Sequence, residues 1–104
     1  MRNGMRPIHP GEVLREDFLV PLNLTASALA RALHVPPNRV TGLLNETRAV
    51  TAATALRLAR FFGTTPEFWL NLQSTYDLRS EEIRSAKDIA REVSRYRQSQ
   101  AAEA

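Results

Sequence analysis

Two short amphipathic patterns joined by a tight connection lie between residues 25 and 45, and they constrain the fold more than any other feature. The apolar residues of each pattern recur every three or four positions, the spacing of one buried helix face. Proline at residues 36 and 37 suits the first turn of the second helix, where its missing N–H would lack a partner anyway. We therefore predict two short helices that cross closely, with small Ala30 at the crossing. The residues predicted to hold this unit together are Ala30, Leu33, Val35, Val40 and Leu43.

The rest of the chain repeats the helical spacing, and no segment shows the sustained alternation of a half-buried strand. Thr25, Thr51 and Thr65 each stand where a helix N-cap is expected, and Gly63 stands where a left-handed helix end is expected. The sequence therefore predicts an all-α fold. Helices are predicted over about residues 12–20, from an N-cap at Thr25 to near His34, from Pro36 or Pro37 to about Asn45, and over about residues 52–62, 66–76 and 80–97. Pro21 is predicted to end the first and Tyr76-Asp77 the fifth.

A length of 104 residues allows one domain and a terminal appendage. Hydrophobic residues make up 43% and charged residues 24%, a balance that supports a core and excludes a disordered chain. We predict a folded domain over residues 7–77 and an amphipathic helix over residues 78–97. The tail, residues 98–104, is predicted to be frayed.

Several classes of function are excluded by the residues themselves. The chain has no cysteine, so disulfides, thiolate nucleophiles and cysteine-based metal sites are absent. His9 and His34 lack partners at ligand or acid–base spacing and are predicted to be structural, and the adjacent acids Glu16-Asp17 and Glu81-Glu82 are predicted to be solvated surface. We expect no enzyme activity, no cofactor and no metal. No secretory leader and no apolar run long enough for a membrane is seen, which predicts a cytoplasmic protein without a membrane partner.

The exposed side of the second helix points to nucleic acid. Two helices with this spacing form a helix-turn-helix, whose second helix enters the major groove of double-stranded DNA while the first crosses the backbone. The net charge is only +3, but the basic residues are nearly all arginine, which contacts guanine and phosphate through two hydrogen bonds. A GC-rich gene explains that bias equally well, so the positions of the arginines matter more than their number. The predicted base contacts are Asn38, Arg39, Thr41, Gly42 and Asn45, and the predicted phosphate contacts are Thr25, Ser27, Arg31 and Arg48.

Two flanking motifs extend this unit into a family resemblance. His9-Pro10-Gly11-Glu12 precedes the helix-turn-helix, and Pro66 with Trp69-Leu70-Asn71-Leu72-Gln73 follows it. Over residues 7 to 77 the chain resembles HigA-type antitoxins, a branch of the Xre/lambda-repressor-like helix-turn-helix family. The resemblance implies a five-helix lambda-repressor-like domain, here with an additional C-terminal helix, and a homodimer that represses its own palindromic operator. It also implies that the protein sequesters a HigB/RelE-like toxin, a ribosome-dependent mRNA ribonuclease.

The sequence departs from the family pattern at two places. His34 occupies a turn position where such proteins often have glycine, and we expect a left-handed backbone there. Glu46-Thr47 replaces a common Gly-Lys pair, which removes a positive charge near the DNA backbone unless Arg48 compensates. Two other functions therefore stay open, a stand-alone repressor without a toxin and a toxin-binding module with weak DNA binding.

Trp69 is expected in the core or at a dimer seam, and the helix over residues 78–97 is expected to extend the dimer or meet the toxin.

Overall fold

A computed structural model of the chain describes residues 6–97, which form five helices and no strand. The first, α1, consists of α-helical Pro10–Val13, π-helical Leu14–Leu19 and α-helical Val20–Leu22. It is followed by α2 (Ala26–Leu33), α3 (Pro37–Leu44), α4 (Ala52–Phe62) and α5 (Pro66–Glu92). The predicted all-α class is confirmed. The predicted frayed tail lies outside the described residues.

Side-chain caps set where the helices begin. The hydroxyl oxygens of Thr25, Thr51 and Thr65 accept the backbone N–H groups of Ala28, Thr54 and Phe68, at 3.1, 3.3 and 3.1 Å. Each such cap satisfies one of the helix's unpaired donors and contributes about 1 kcal/mol. At the end of α4, Gly63 has φ of 74°, so the left-handed stop predicted there is confirmed.

The first helix differs from its prediction at both ends. It begins at Pro10 because the Nδ1 atom of His9 accepts the backbone N–H of Gly11 at 2.9 Å and forms the N-cap. It continues past Pro21 and ends at Asn23, whose φ is 53°. The π-helical stretch ends at Leu19, two residues before Pro21, whose ring crowds the preceding turn and which cannot donate a helical hydrogen bond. The wider turn also carries Leu14 and Leu19, five residues apart, into the core together.

The core lies between α1, the α2–α3 pair, α4 and the first half of α5. Trp69 has 0% exposure and packs against Phe18 and Phe62, with ring centroids 5.0 and 6.3 Å away. Its indole N–H donates to the Thr64 hydroxyl at 2.8 Å, so the expected core position with a satisfied polar edge is confirmed. Among residues 6–97 the other large, fully buried side chains are Leu14, Leu29, Leu58, Val40 and Pro10.

The last helix corrects the prediction of a separate helix over residues 80–97. α5 runs without a break through Tyr76-Asp77 and ends at Glu92, 27 residues in all. Residues 76–80 contain neither glycine nor proline, so the loss of apolar residues there ends the burial but not the helix. Ion pairs three residues apart support the exposed half: Arg79–Glu82, Glu81–Arg84 and Asp88–Arg91.

The exposed half of α5 extends beyond the core and gives the molecule a long axis of 62 Å against 25 and 23 Å. Leu78, Ile83 and Ile89 on this half are 48 to 63% exposed. In residues 6–97 no helix combines the length and apolar character needed to cross a bilayer.

Candidate nucleic-acid interface

The turn between α2 and α3 has the close geometry predicted for it. The backbone N–H of Val35 donates to the Ala30 carbonyl at 3.1 Å, and Ala30 is 1% exposed at the crossing. His34 has φ of 59° and ψ of 48°, so its predicted left-handed backbone is confirmed. Leu33, Val40 and Leu43 are buried as predicted, whereas Val35 is half-buried against the core.

Most of the predicted base-reading side chains lie on the open side of α3. Asn38, Thr41 and Asn45 are exposed, and Arg39 is half-buried. The Thr41 hydroxyl donates to the carbonyls of Pro37 and Asn38, both at 3.3 Å, so its oxygen lone pairs and methyl group remain for an outside partner. The structure therefore brings four of the five predicted residues to one accessible helix surface.

Gly42 is the exception, because the residue predicted to be exposed there is buried. The side chain of Arg48 covers it, and a Cβ atom built on Gly42 would lie 2.6 Å from Arg48 Cδ and 2.8 Å from Cγ. The missing side chain lets the aliphatic stem of Arg48 cross α3, while Arg48 itself stays exposed. Gly42 thus positions an arginine at the rim of the α3 surface.

The loop after α3 is fixed by the carbonyl of Gly42. That oxygen accepts the backbone N–H groups of Thr47 at 2.9 Å and Arg48 at 3.1 Å, and the Thr47 hydroxyl at 3.2 Å. Sequence reasoning missed this role of Thr47. Glu46 has φ of 64°, a left-handed conformation that costs a non-glycine residue about 1–2 kcal/mol. This backbone explains physically why glycine suits the position.

Replacing Glu46 by glycine is therefore expected to raise the free energy of unfolding by about 0.5–1 kcal/mol, the relief of strain less the added entropy of the unfolded chain. Urea denaturation followed by circular dichroism measures the change. Glu46→Gln is the matched control, because it removes the charge and keeps the strained backbone. Equal stabilisation by both variants would mean that charge, not conformation, destabilises the loop.

The predicted phosphate-contacting residues surround this surface. Ser27 and Arg31 are exposed on α2, and Arg48 is exposed after α3. Thr25 is also exposed, but its hydroxyl oxygen is already used as the N-cap acceptor, which leaves the hydroxyl hydrogen for an outside acceptor. Ser27 and Arg31 on α2 and Arg48 on the loop after α3 are therefore accessible to an outside partner.

Two arginines that sequence reasoning missed bind the C-terminal ends of the helix pair. Arg15 Nη1 of α1 donates to the Leu44 carbonyl at 3.1 Å, and Arg57 Nη1 of α4 donates to the Leu33 carbonyl at 2.8 Å. A cation there satisfies a carbonyl that lacks a helical partner and complements the negative end of the helix dipole. The partners are 29 and 24 residues apart, so no local pattern marks them.

The first flanking motif holds α1 against α3. A Cβ atom on Gly11 would lie 1.8 Å from the Leu43 carbonyl oxygen, so only glycine permits this approach. His9 is buried and packs edge-on against Tyr76 of α5 at 4.8 Å, consistent with its predicted structural role. Arg6 forms two hydrogen bonds with the Glu12 carboxylate at 2.9 and 2.8 Å, and this bonding, together with the charge of Glu12, raises the pKa of Arg6.

The second flanking motif ties α5 to the segment before α4. The side-chain oxygen of Gln73 accepts the backbone N–H of Val50 at 2.7 Å, and its amide nitrogen donates to Asp77 at 2.9 Å. Gln73 is 8% exposed, so this hydrogen bond satisfies a backbone donor in the interior. Both motifs therefore stabilise the position of the helix pair and leave its outer surface open.

Comparison with known proteins matches residues 14–69 to the helix-turn-helix family model. The chain is 47% identical over 73 residues to antitoxin HigA-1 of Vibrio cholerae, and the alignment covers 70% of this chain and 69% of that protein. A solved structure of a HigA-family addiction module antidote protein from Coxiella burnetii is 55% identical, with a TM-score of 0.84 over 88% of this chain and 99% of the other. The structure of Pseudomonas aeruginosa antitoxin HigA with the higBA promoter is 44% identical, with a TM-score of 0.83 over 86% and 97%.

Proposed function

This chain belongs to the HigA-type antitoxins of the helix-turn-helix family, which are not enzymes, and we propose that it binds operator DNA and represses its own promoter. The observation that carries the proposal is the accessible surface of α3, formed by Asn38, Arg39, Thr41 and Asn45. The P. aeruginosa relative, which is similar over nearly its whole length, has been solved with promoter DNA. That complex supports the same mode of binding for this chain.

Base recognition is proposed to come from α3 in the major groove. The Arg39 guanidinium matches the two acceptors of guanine, and Asn38 or Asn45 matches the acceptor and donor of adenine. Thr41 offers its methyl group to thymine. Gly42 is assigned no base of its own, because Arg48 covers it, and its proposed contribution is the placement of that arginine.

Affinity independent of sequence is proposed to come from the phosphate contacts around α3. Arg31 and Arg48 supply positive charge, while Thr25 and Ser27 supply hydroxyl donors. Glu46 places a negative charge in the same loop, so Arg48 is the cation proposed to bind the backbone there. Binding should therefore weaken steeply as salt concentration rises.

The finer parts of the function concern the protein partners. We infer a homodimer on a palindromic operator, since two copies place two α3 helices on successive major grooves. We also infer that the antitoxin sequesters a HigB/RelE-like toxin. The exposed half of α5, with Leu78 and Ile89, supplies apolar surface that suits a protein partner of either kind.

Gel shift against the DNA upstream of the gene tests operator binding. Arg39→Ala and Asn38→Ala are each expected to lower operator affinity by about 1–3 kcal/mol, roughly fivefold to 150-fold, and to relax base preference at one position. Lys87→Ala is the matched control, because it removes a positive charge from the exposed half of α5, far along the chain from α3. If both α3 variants bind as tightly and as selectively as the wild type, the assignment of α3 is wrong.

A second candidate function is a toxin-binding module with weak DNA binding, which the negative charge of Glu46 beside the α3 surface favours. Co-expression with the product of the adjacent gene distinguishes the two. A stable complex without operator binding at low salt supports the module. Operator binding together with a complex supports the antitoxin, and operator binding with no toxin-like neighbour supports a stand-alone repressor.

A further inference from the structure

Arg15 of α1 is not among the residues proposed to bind DNA, but it contacts the end of the helix proposed to read bases. α3 has eight residues, about 12 Å of helix, so its direction depends on how its ends are held. The carbonyl of Leu44, in its last turn, accepts a hydrogen bond from Arg15 Nη1. This bond comes from a different helix, whereas the preceding carbonyls are satisfied locally.

Those local bonds cover the rest of the last turn. The Thr41 carbonyl accepts from Asn45, the Gly42 carbonyl accepts from Thr47 and Arg48, and the Leu43 carbonyl accepts from Glu46. All of these donors belong to the segment that follows α3 and therefore move with it. They hold the shape of the helix end but do not fix its direction relative to the core.

Contacts from outside α3 come from α1, through two residues that lie one helical turn apart. Gly11 approaches the Leu43 carbonyl so closely that no side chain fits between them, and Arg15, four residues later, bonds the next carbonyl. Residues four apart lie on the same side of a helix, so one face of α1 contacts two successive carbonyls of α3. The Arg15 guanidinium is itself oriented by an ion pair with Glu16, Nε to Oε2 at 3.0 Å.

We propose that Arg15 is a positioning residue for base readout, which fixes the tilt of α3 in the major groove by holding its C-terminal end against α1. This inference rests on the proposed DNA-binding function. A tilt of ten degrees about one end moves the other end of a 12 Å helix by about 2 Å, far beyond the tolerance of a base-specific hydrogen bond. Phosphate contacts through long, mobile arginines tolerate such a shift much better.

If Arg15 positions α3, its replacement should weaken operator binding without weakening binding to unrelated DNA. Arg15→Met keeps the length of the side chain and removes the donor, and we expect operator affinity to fall about tenfold while affinity for unrelated DNA and the salt dependence stay unchanged. Arg15→Lys, which keeps a donor and the charge, should restore part of the operator affinity. Arg60→Met, the loss of one exposed arginine of α4, is the charge-matched control and should preserve the ratio of the two affinities.

Fluorescence anisotropy with operator and scrambled duplexes across a salt series measures these affinities, and thermal melting identifies temperatures at which every variant is folded. Amide hydrogen exchange of DNA-free protein adds a second readout, with faster exchange expected at Asn45 to Arg48 in Arg15→Met.

Parallel loss of both affinities with a shallower salt slope would make Arg15 a phosphate contact and overturn the proposal. Unchanged operator preference in Arg15→Met would overturn this role alone, whereas a wild type without operator preference would overturn the DNA-binding function as well.

Discussion

Replacement of Gly11 by alanine is expected to lower the free energy of unfolding by about 3 kcal/mol, the upper end of the range for overpacked sites. The added methyl group would lie 1.8 Å from the Leu43 carbonyl oxygen and 2.8 Å from its carbonyl carbon. Both atoms belong to the backbone of α3, so no rotamer change relieves the clash. Relief requires that α1 and α3 move apart, which also breaks the Arg15 hydrogen bond to Leu44.

Urea denaturation of Gly11→Ala measures this loss, and Gly42→Ala is the matched control. The three atoms nearest to a Cβ atom at Gly42 all belong to the flexible side chain of Arg48, and alanine gains about 1 kcal/mol of helix propensity over glycine. Gly42→Ala should therefore change stability by no more than about 1 kcal/mol, yet weaken operator binding by displacing Arg48. Equal destabilisation by the two variants would show that α1 does not contact α3 as closely as described.

The contrast between Gly11 and Gly42 shows which parts of the fold can be predicted from the sequence. Threonine caps, the left-handed His34 and the buried faces of α2 and α3 depend on residues within one or two turns of each other, and all were predicted. The exposure of Gly42 was predicted wrongly because helical spacing places it on the outer face. Only the later Arg48 side chain, folded back over α3, buries it.

Local sequence patterns also fail to predict the residues that position the helix pair, because their partners are distant in the chain. Arg15 and Arg57 look like ordinary exposed arginines until the fold places them beside Leu44 and Leu33. The π-helical stretch before Pro21 likewise gives no sequence signal beyond two core leucines five residues apart. The flanking motifs were recognised as family markers, but their physical roles came from contacts between helices.

The error at α5 has a different origin. A helix end was predicted at Tyr76-Asp77, where the chain becomes more polar, but composition indicates burial and not backbone conformation. A helix continues through such a change when propensity and ion pairs support it. The resulting 27-residue helix carries both the buried Trp69 and an exposed apolar half, so a single element links the core to the surface proposed for protein partners.

Truncation of Trp69 to alanine is expected to lower the free energy of unfolding by about 3–5 kcal/mol, the range for a fully buried aromatic side chain. The side chain is fully buried, packs against Phe18, Phe62 and Phe68, and donates its indole N–H to Thr64. A typical domain has a free energy of unfolding of about 5–15 kcal/mol, so such a loss removes a large part of it. Thermal and urea denaturation of the variant and the wild type give the difference directly.

Leu56→Ala on α4 is the control, because Leu56 is 60% exposed and its truncation should change stability by no more than about 0.5 kcal/mol. Trp69→Phe should fall between the two, since it keeps aromatic packing and loses the hydrogen bond to Thr64. The loss should be the same at every protein concentration, because Trp69 is buried within a single copy of the chain and stabilises the fold on which the position of α3 depends. Wild-type stability in Trp69→Ala would contradict the packing described for the core.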